Sequence, residues 1–322
     1  SEYVAVNKVV PLRLYAKAQS FGFAPPFDAL LPEVDLTIFP NFATWPASRS
    51  KLRATAIHDL TYLYYPEVVE EKNLAHLRRV VPRSIRQADF IITVSESVKS
   101  ELVKEFGLDP ERCVVTPIPP GAEFHQKSDR EVHKKYGIPT QKYIYFIGNL
   151  EPRKNLSALL EAYLQLPATV RDEYSLILAG PKGWKNESLQ KALQKAEQSG
   201  QNVRHIGFID QADSPALYQN ARLFVWPSLY EGFGIPILEA MLSGCPVVTS
   251  DIPVLREVGG DVATYANPAS AIDIRDKMLA ELAKTVTTEQ RQQARDNVAR
   301  FSWQENIARI IDITNKLLEQ RR

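Results

Sequence analysis

The sequence predicts an α/β protein made of two parallel-sheet halves, and three observations predict it. The chain has 322 residues, more than one ordinary domain on a prior of roughly 100–200 residues each. Its second half alternates short β-rich apolar runs with stretches of helical periodicity, the pattern of βαβ units and of a sheet covered on both faces. The first half repeats that alternation less completely. Composition permits such a fold: hydrophobic residues make up 44% and charged residues 24%, which is globular rather than disordered, collagen-like or coiled-coil.

In chain order, Ser1-Glu-Tyr-Val-Ala-Val opens as a strand-like run without an initiator Met, so upstream sequence is expected to be missing. Strands are predicted at 36–39, 54–57, 90–94 and 114–118. A helix is predicted at 71–87, with Leu74, Leu77, Val81, Ile85 and Ala88 on one face and a kink at Pro82, where a backbone donor is lost. Its other face carries Arg79, Arg83 and Arg86, either a solvated face or a surface for anionic lipid headgroups. The cluster Pro117-Ile-Pro-Pro-Gly121 and the polar stretch to Thr140 mark the boundary between the halves. Strands follow at 143–147, 175–179, 202–207, 223–226, 246–249 and 262–265, with helices at 156–164, 188–198, 215–220, 235–243 and, shorter, 254–258. Two helical patterns over 287–322 join at Phe301-Ser302-Trp303. Ser302 and Glu305 have the spacing of a capping box, and the last helix is expected to bury Ile307, Ile310, Ile311, Ile313 and Leu317. The resulting division is 1–138, 139–300 and a C-terminal helix at 301–322 that packs back toward the first domain.

Charge and cysteine usage narrow the function classes. With 39 Lys+Arg against 38 Asp+Glu the formal charge is +1, so no global field favours nucleic acid. Cys113 and Cys245 lie far apart in apolar runs, which argues against a disulfide framework or a zinc site and suits a reducing cytosol. No stretch approaches the roughly 18–20 apolar residues of a membrane span, and no signal-peptide pattern opens the chain. A soluble, cytoplasmic protein is expected.

The most informative segment runs from Trp226 through Glu231-Gly-Phe-Gly-Ile-Pro-Ile-Leu-Glu239 to Met241. A strand ends at Trp226, a Gly-containing turn follows, and a helix starts near Ile235 with Pro236 in its first turn. Free N–H groups and the positive end of the helix dipole suit an anion, and Gly232 and Gly234 allow a ligand close to the backbone. Glu231 and Glu239 bracket the turn. A carboxylate beside a phosphate-binding turn is counterproductive unless it accepts hydrogen bonds from hydroxyls, so the pattern points to a ligand carrying both phosphate and sugar.

This Glu-x7-Glu spacing, within Ser-Leu-Tyr-Glu-Gly-Phe-Gly-Ile-Pro-Ile-Leu-Glu-Ala-Met, resembles the retaining GT-B glycosyltransferases, and glycosyltransferase family four in particular. Further matches follow in the family's order: Ile57-His58-Asp59-Leu60, Thr93-Val-Ser95-Glu, Phe146-Ile-Gly148-Asn-Leu-Glu-Pro-Arg153-Lys154-Asn155, Leu178-Ala-Gly180 and Arg300-Phe-Ser-Trp303. The resemblance implies two Rossmann-like doubly wound domains facing a cleft. It implies that Glu239 binds the ribose hydroxyls of a nucleotide diphosphosugar and that Glu231 lies by its sugar. Gly232, Phe233, Gly234 and Ile235 then offer main-chain contacts to the diphosphate or the sugar, and Gly148 joins the donor site. Arg153 and Lys154 are expected to neutralise the leaving diphosphate. His58 faces the sugar across the cleft. Asp59 is either in the site or a turn residue, and Ser95 either hydrogen-bonds a phosphate or caps the helix 96–106. Gly207-Phe208-Ile209 contacts the base through its backbone.

One departure stands out. The family's early Gly-rich loop is absent before Leu36, and Phe21-Gly22-Phe23 does not supply it. The N-terminal domain is therefore expected to lack its first βα unit, against roughly 30 residues for a βαβ unit, either because the sequence is truncated or because the acceptor side is built differently. The implied activity is retaining, metal-independent transfer of a hexose to a glycan or lipid-linked hydroxyl in surface polysaccharide assembly. GDP-mannose is favoured over UDP-glucose as donor, with no cofactor, no metal and no Asp-x-Asp pair. If the acceptor is lipid-linked, the arginine face is the candidate surface for peripheral contact with the inner face of the plasma membrane. The alternatives are a non-catalytic nucleotide-sugar sensor or subunit, and a nicotinamide dehydrogenase, which lacks its Gly-x-Gly-x-x-Gly.

Overall fold

A computed structural model describes residues 18, 26–29, 32–139 and 142–321. The strand-like opening at Ser1 and the segment Phe21-Gly22-Phe23 lie outside them. The described chain builds two wholly parallel sheets. The first contains β1 (Val34–Phe39), β2 (Ser50–Ala56), β3 (Phe90–Thr93) and β4 (Cys113–Val115), in that spatial order. The second contains β5 (Lys142–Ile147), β6 (Tyr174–Ala179), β7 (Val203–Gly207), β8 (Ala221–Trp226), β9 (Val247–Ser250) and β10 (Thr264–Ala266). Its spatial order is β10-β9-β8-β5-β6-β7, so strand order reverses between β5 and β8. Ligands of open α/β sheets bind outside the carboxyl ends of the strands at such a reversal.

Sheet position explains the strand sequences. β5 and β8 are central and covered on both faces, hence the continuous runs Tyr143-Ile-Tyr-Phe146 and Leu223-Phe-Val-Trp226, all buried. Each such side chain contributes roughly 1.5–3 kcal/mol on burial. Tyr145, Tyr218 and Phe224 pack edge to face at 5.2–5.3 Å along this core.

Helix α1 (Glu71–Gln87) runs through Pro82 as one element, capped by the Glu70 carboxylate on the Asn73 N–H. Val81 and Ile85 are buried, Leu74 and Leu77 half-buried, and Arg79, Arg83 and Arg86 exposed. Helix α2 (Glu96–Phe106) follows β3. The second sheet carries α3 (Leu156–Leu164), α4 (Ser214–Asn220), α5 (Ile235–Leu242), α6 (Pro253–Gly259), α7 (Ala271–Ala283) and α8 (Thr288–Ala299).

Helix α9 (Trp303–Gln320) crosses back to the first sheet, where Ile310, Ile313 and Leu317 pack against Ala54, Ala56, Phe90 and Ile92.

Four expectations need correction. The domain boundary lies before 138, because Phe124, Val132 and Ile138 join the core of the second sheet. These three residues follow the Pro117–Gly121 cluster that the sequence already marks as the start of the boundary region. Helix α7 was not anticipated; Asp273, Arg275 and Asp276 break up its apolar stripe, and only Ile274 and Met278 are buried apolar anchors. Ser302 makes no cap bond and donates to Gln304 at 2.9 Å instead, whereas Thr287 and Gln290 form a true capping box on α8. On α9, Ile307 and Ile311 are 56% and 51% exposed, so the helix buries one edge of its apolar stripe.

Candidate active site

The loop that leaves the carboxyl end of β5 is held in place by Asn155. This residue takes a left-handed conformation at φ 57° and starts α3. Its amide donates to the carbonyls of Pro227 at 3.1 Å and Pro268 at 2.8 Å. The one-turn helix Pro152–Lys154 is thereby tied to the loop that leaves β8, and Leu229 N–H adds a bond to the Arg153 carbonyl at 2.9 Å.

The tie brings three predicted residues into one ion cluster. Arg153 Nη1 donates to Glu231 Oε2 and Lys154 Nζ to Glu231 Oε1, both at 2.6 Å. Arg153 Nη2 also meets buried Glu151 at 2.7 Å. Lys154 sits 4.2 Å from the Trp226 ring centre, a cation–π contact. Burial pushes the Glu231 carboxyl upward, but Arg153 and Lys154 outweigh it and hold the group at about 2. Burial dominates for Lys154 and, with Arg153 beside it, lowers its proton affinity against the pull of Glu231. At neutral pH Glu231 is a carboxylate fixed between cations, and the residues expected at the diphosphate and at the sugar form a single unit.

Glu239 stands apart, one turn into α5. Its Oε2 accepts from Tyr218 Oη at 2.8 Å. Burial raises its carboxyl, Tyr218 opposes that, and the nearby Glu123 carboxylate adds to it. Glu239 lines a cavity of about 520 Å³ together with Gly148, Phe208, Ile209 and Ile235. Five residues expected at the donor thus share one cavity, at the strand-order reversal.

The first sheet closes over the second. Gly232 lies against His58 so closely that a Cβ there would stand 2.0 Å from the His58 carbonyl oxygen. The His58 ring itself hydrogen-bonds the Pro40 carbonyl at 2.8 Å and meets Phe42 edge-on. Asp59 accepts from Thr61 N–H at 2.9 Å, a turn contact. Ser95 caps α2 by accepting from Val98 N–H and donates its proton to the Gly232 carbonyl at 2.9 Å. Its hydroxyl proton is engaged by protein. Phe233 is buried edge-on against Phe301, and Gly234 is the N-cap of α5. Among the described residues no group of three or more His, Cys, Asp or Glu is placed to hold a metal ion.

Tyr230 was invisible to sequence reasoning, although it precedes Glu231. Its phenol accepts from Leu60 N–H at 2.9 Å and donates to Glu101 at 2.6 Å, between Tyr64 and Tyr65 of the first domain. Its carbonyl accepts from Arg153 at 2.9 Å. No local pattern announces a bond across 170 residues. Glu257 is a second such residue, accepting from Glu96 and Ser97 N–H at the start of α2. Replacing Tyr230 by phenylalanine is expected to cost about 1–3 kcal/mol, because the buried Leu60 N–H and the half-buried Glu101 carboxylate lose their partner. Urea unfolding checks this, and an unchanged midpoint would contradict the tie.

Two facing Rossmann-like sheets with this carboxylate pair define a GT-B protein. Residues 128–301 match the family Glycosyl transferases group 1, and residues 2–123 match Glycosyltransferase Family 4. The chain belongs to the group 1 glycosyl transferases. It is 36% identical over 246 residues to O-antigen chain mannosyltransferase B of Escherichia coli, covering 76% of this chain and 64% of that protein. It is 30% identical over 213 residues to the O-antigen chain mannosyltransferase RfbU of Salmonella typhimurium, covering 66% and 56%. The chain thus spans less than two thirds of the length of either relative. Among solved structures, an Anabaena protein in complex with UDP-glucose superposes with a TM-score of 0.64 at 20% identity, over 83% of this chain and 72% of that one. No helix among the described residues is long and apolar enough to cross a membrane.

Proposed function

We propose that the protein transfers mannose from GDP-mannose to a hydroxyl of a glycan or lipid-linked glycan in surface polysaccharide assembly, with retention at the anomeric carbon. The observation that carries this reading is the Glu231–Glu239 pair: one carboxylate locked to Arg153 and Lys154, the other on the wall of the 520 Å³ cavity. Similarity to two O-antigen mannosyltransferases supports the sugar and the pathway class.

The chemistry follows from charge. As the anomeric carbon–oxygen bond breaks, negative charge grows on the departing diphosphate and positive charge on the sugar. Arg153, Lys154 and the N-terminus of α5 stabilise the first, preorganised before reaction. Glu231, ionised at neutral pH, stabilises the second. The acceptor oxygen attacks from the face the diphosphate leaves, and the departing phosphate oxygen takes the acceptor proton. The products are GDP and the mannoside. Glu239 holds the ribose hydroxyls, and the first domain, through His58, closes the sugar side.

Calorimetric titration with GDP, UDP and their sugars tests the donor. GDP and GDP-mannose are expected to bind in the micromolar range, which corresponds to about 8 kcal/mol, and UDP more weakly. Binding of UDP but not GDP would refute the donor assignment.

A further inference from the structure

The cavity contains a second carboxylate that the proposed mechanism leaves unused. Glu123 lies on the one-turn helix Ala122–His125, directly after the turn that divides the two domains, and lines the cavity with Glu239. Its carboxylate folds back over that turn; a Cβ at Gly121 would stand 2.3 Å from Glu123 Oε2. The contact made to it by a side chain comes from Gln211 Nε2, a long 3.4 Å, and Gln211 also lines the cavity. No lysine, arginine or histidine is among the lining residues.

A cavity with two carboxylates and no cation suits a ligand rich in hydrogen-bond donors, since ionised carboxylates only accept. A ribose diol satisfies Glu239. Glu123, exposed in the free protein, is met on both oxygens by a ligand with two adjacent donors, and among the common bases guanine alone presents them, with N1–H beside the 2-amino group. Uracil flanks its single N–H with two carbonyls, and adenine sets its amino group beside a lone pair; either would turn an acceptor toward the carboxylate. Gln211, next to Glu123, adds the amide donor that the guanine O6 needs. Phe208, at 78% exposure, offers a ring at the cavity edge. Such a ring is a stacking platform for a base.

We infer that Glu123 and Gln211 read the guanine edge of the donor nucleotide, with the base stacked on Phe208, which makes this pair the determinant of base choice. The inference rests on the nucleotide-sugar reading of the site and deepens it. Glu123 and Gln211 are exposed in the free protein; specificity arises when a bound base covers them, because the wrong base then leaves a covered polar group without its partner.

The test compares GDP with inosine diphosphate, which differs only in lacking the 2-amino group, in the wild type and in Glu123→Gln, with UDP as a third ligand. Loss of one charge-assisted hydrogen bond predicts that the wild type prefers GDP over inosine diphosphate by roughly 10- to 100-fold. In Glu123→Gln that preference should collapse to within about threefold, with UDP affinity unchanged. Three results would overturn the assignment: a preference that survives in the variant, a variant that weakens GDP and UDP equally, or a wild type that favours UDP. A wild type that binds none of the three nucleotides would instead overturn the nucleotide-sugar reading itself, and this inference with it.

Discussion

Glu231→Gln is expected to destabilise the protein by about 3–5 kcal/mol, the typical cost of breaking a buried ion pair from one side, and to slow sugar transfer by at least about tenfold. The amide keeps the size of the side chain but leaves Lys154 and Arg153 facing each other without the carboxylate that both contact at 2.6 Å. The same group sets a pH dependence. Its ordinary value of 4.5 falls to about 2 in the folded protein, so it stabilises the fold fully above about pH 4.5 and loses that contribution as pH drops through 2. Denaturant unfolding between pH 6 and pH 2 should show the wild type losing its margin over the variant as acid is added. A constant margin across that range would contradict the buried ion cluster.

Glu239→Ala is the second large effect, and it separates from the first. This carboxylate touches no cation; its partner is Tyr218 at 2.8 Å. Two hydrogen bonds from ribose hydroxyls to a charged acceptor are worth roughly 1.5–3 kcal/mol each, so nucleotide affinity should fall by about 100-fold or more. The fold should lose less than in Glu231→Gln: the fully buried Tyr218 hydroxyl is left without its acceptor, at about 1–3 kcal/mol, while burial already opposes the ionised form of Glu239 in the free protein. Turnover with saturating donor should fall less than affinity.

The difference between these two carboxylates was partly legible in the sequence. The spacing of Glu231 and Glu239 around a Gly-rich turn with Pro236 placed both at a helix N-terminus, because those features are local. The ion cluster was not local: it depends on Asn155 reaching Pro227 and Pro268 across 72 and 113 residues. Tyr230 and Glu257 act across the domain divide in the same way, and no periodicity encodes such contacts. Glu123 was hidden by its setting in a polar stretch that reads as linker. The strands were legible because burial on both faces forces continuous apolar runs. Helix α7 was not, since charged residues interrupt its stripe, and the exposed edge of α9 shows that periodicity identifies an apolar face without saying how much of it is covered.

The proposed function rests on a division of labour: Glu239 holds the nucleotide, and Glu231 serves the reacting sugar. Calorimetric GDP binding to the wild type, Glu231→Gln and Glu239→Ala at neutral pH tests it most directly. Glu231→Gln should bind GDP as tightly as the wild type or more tightly, since removing the carboxylate leaves Arg153 and Lys154 free to attract the diphosphate, while Glu239→Ala should bind about 100-fold more weakly. Equal affinity in all three proteins, or loss of binding in Glu231→Gln alone, would contradict it.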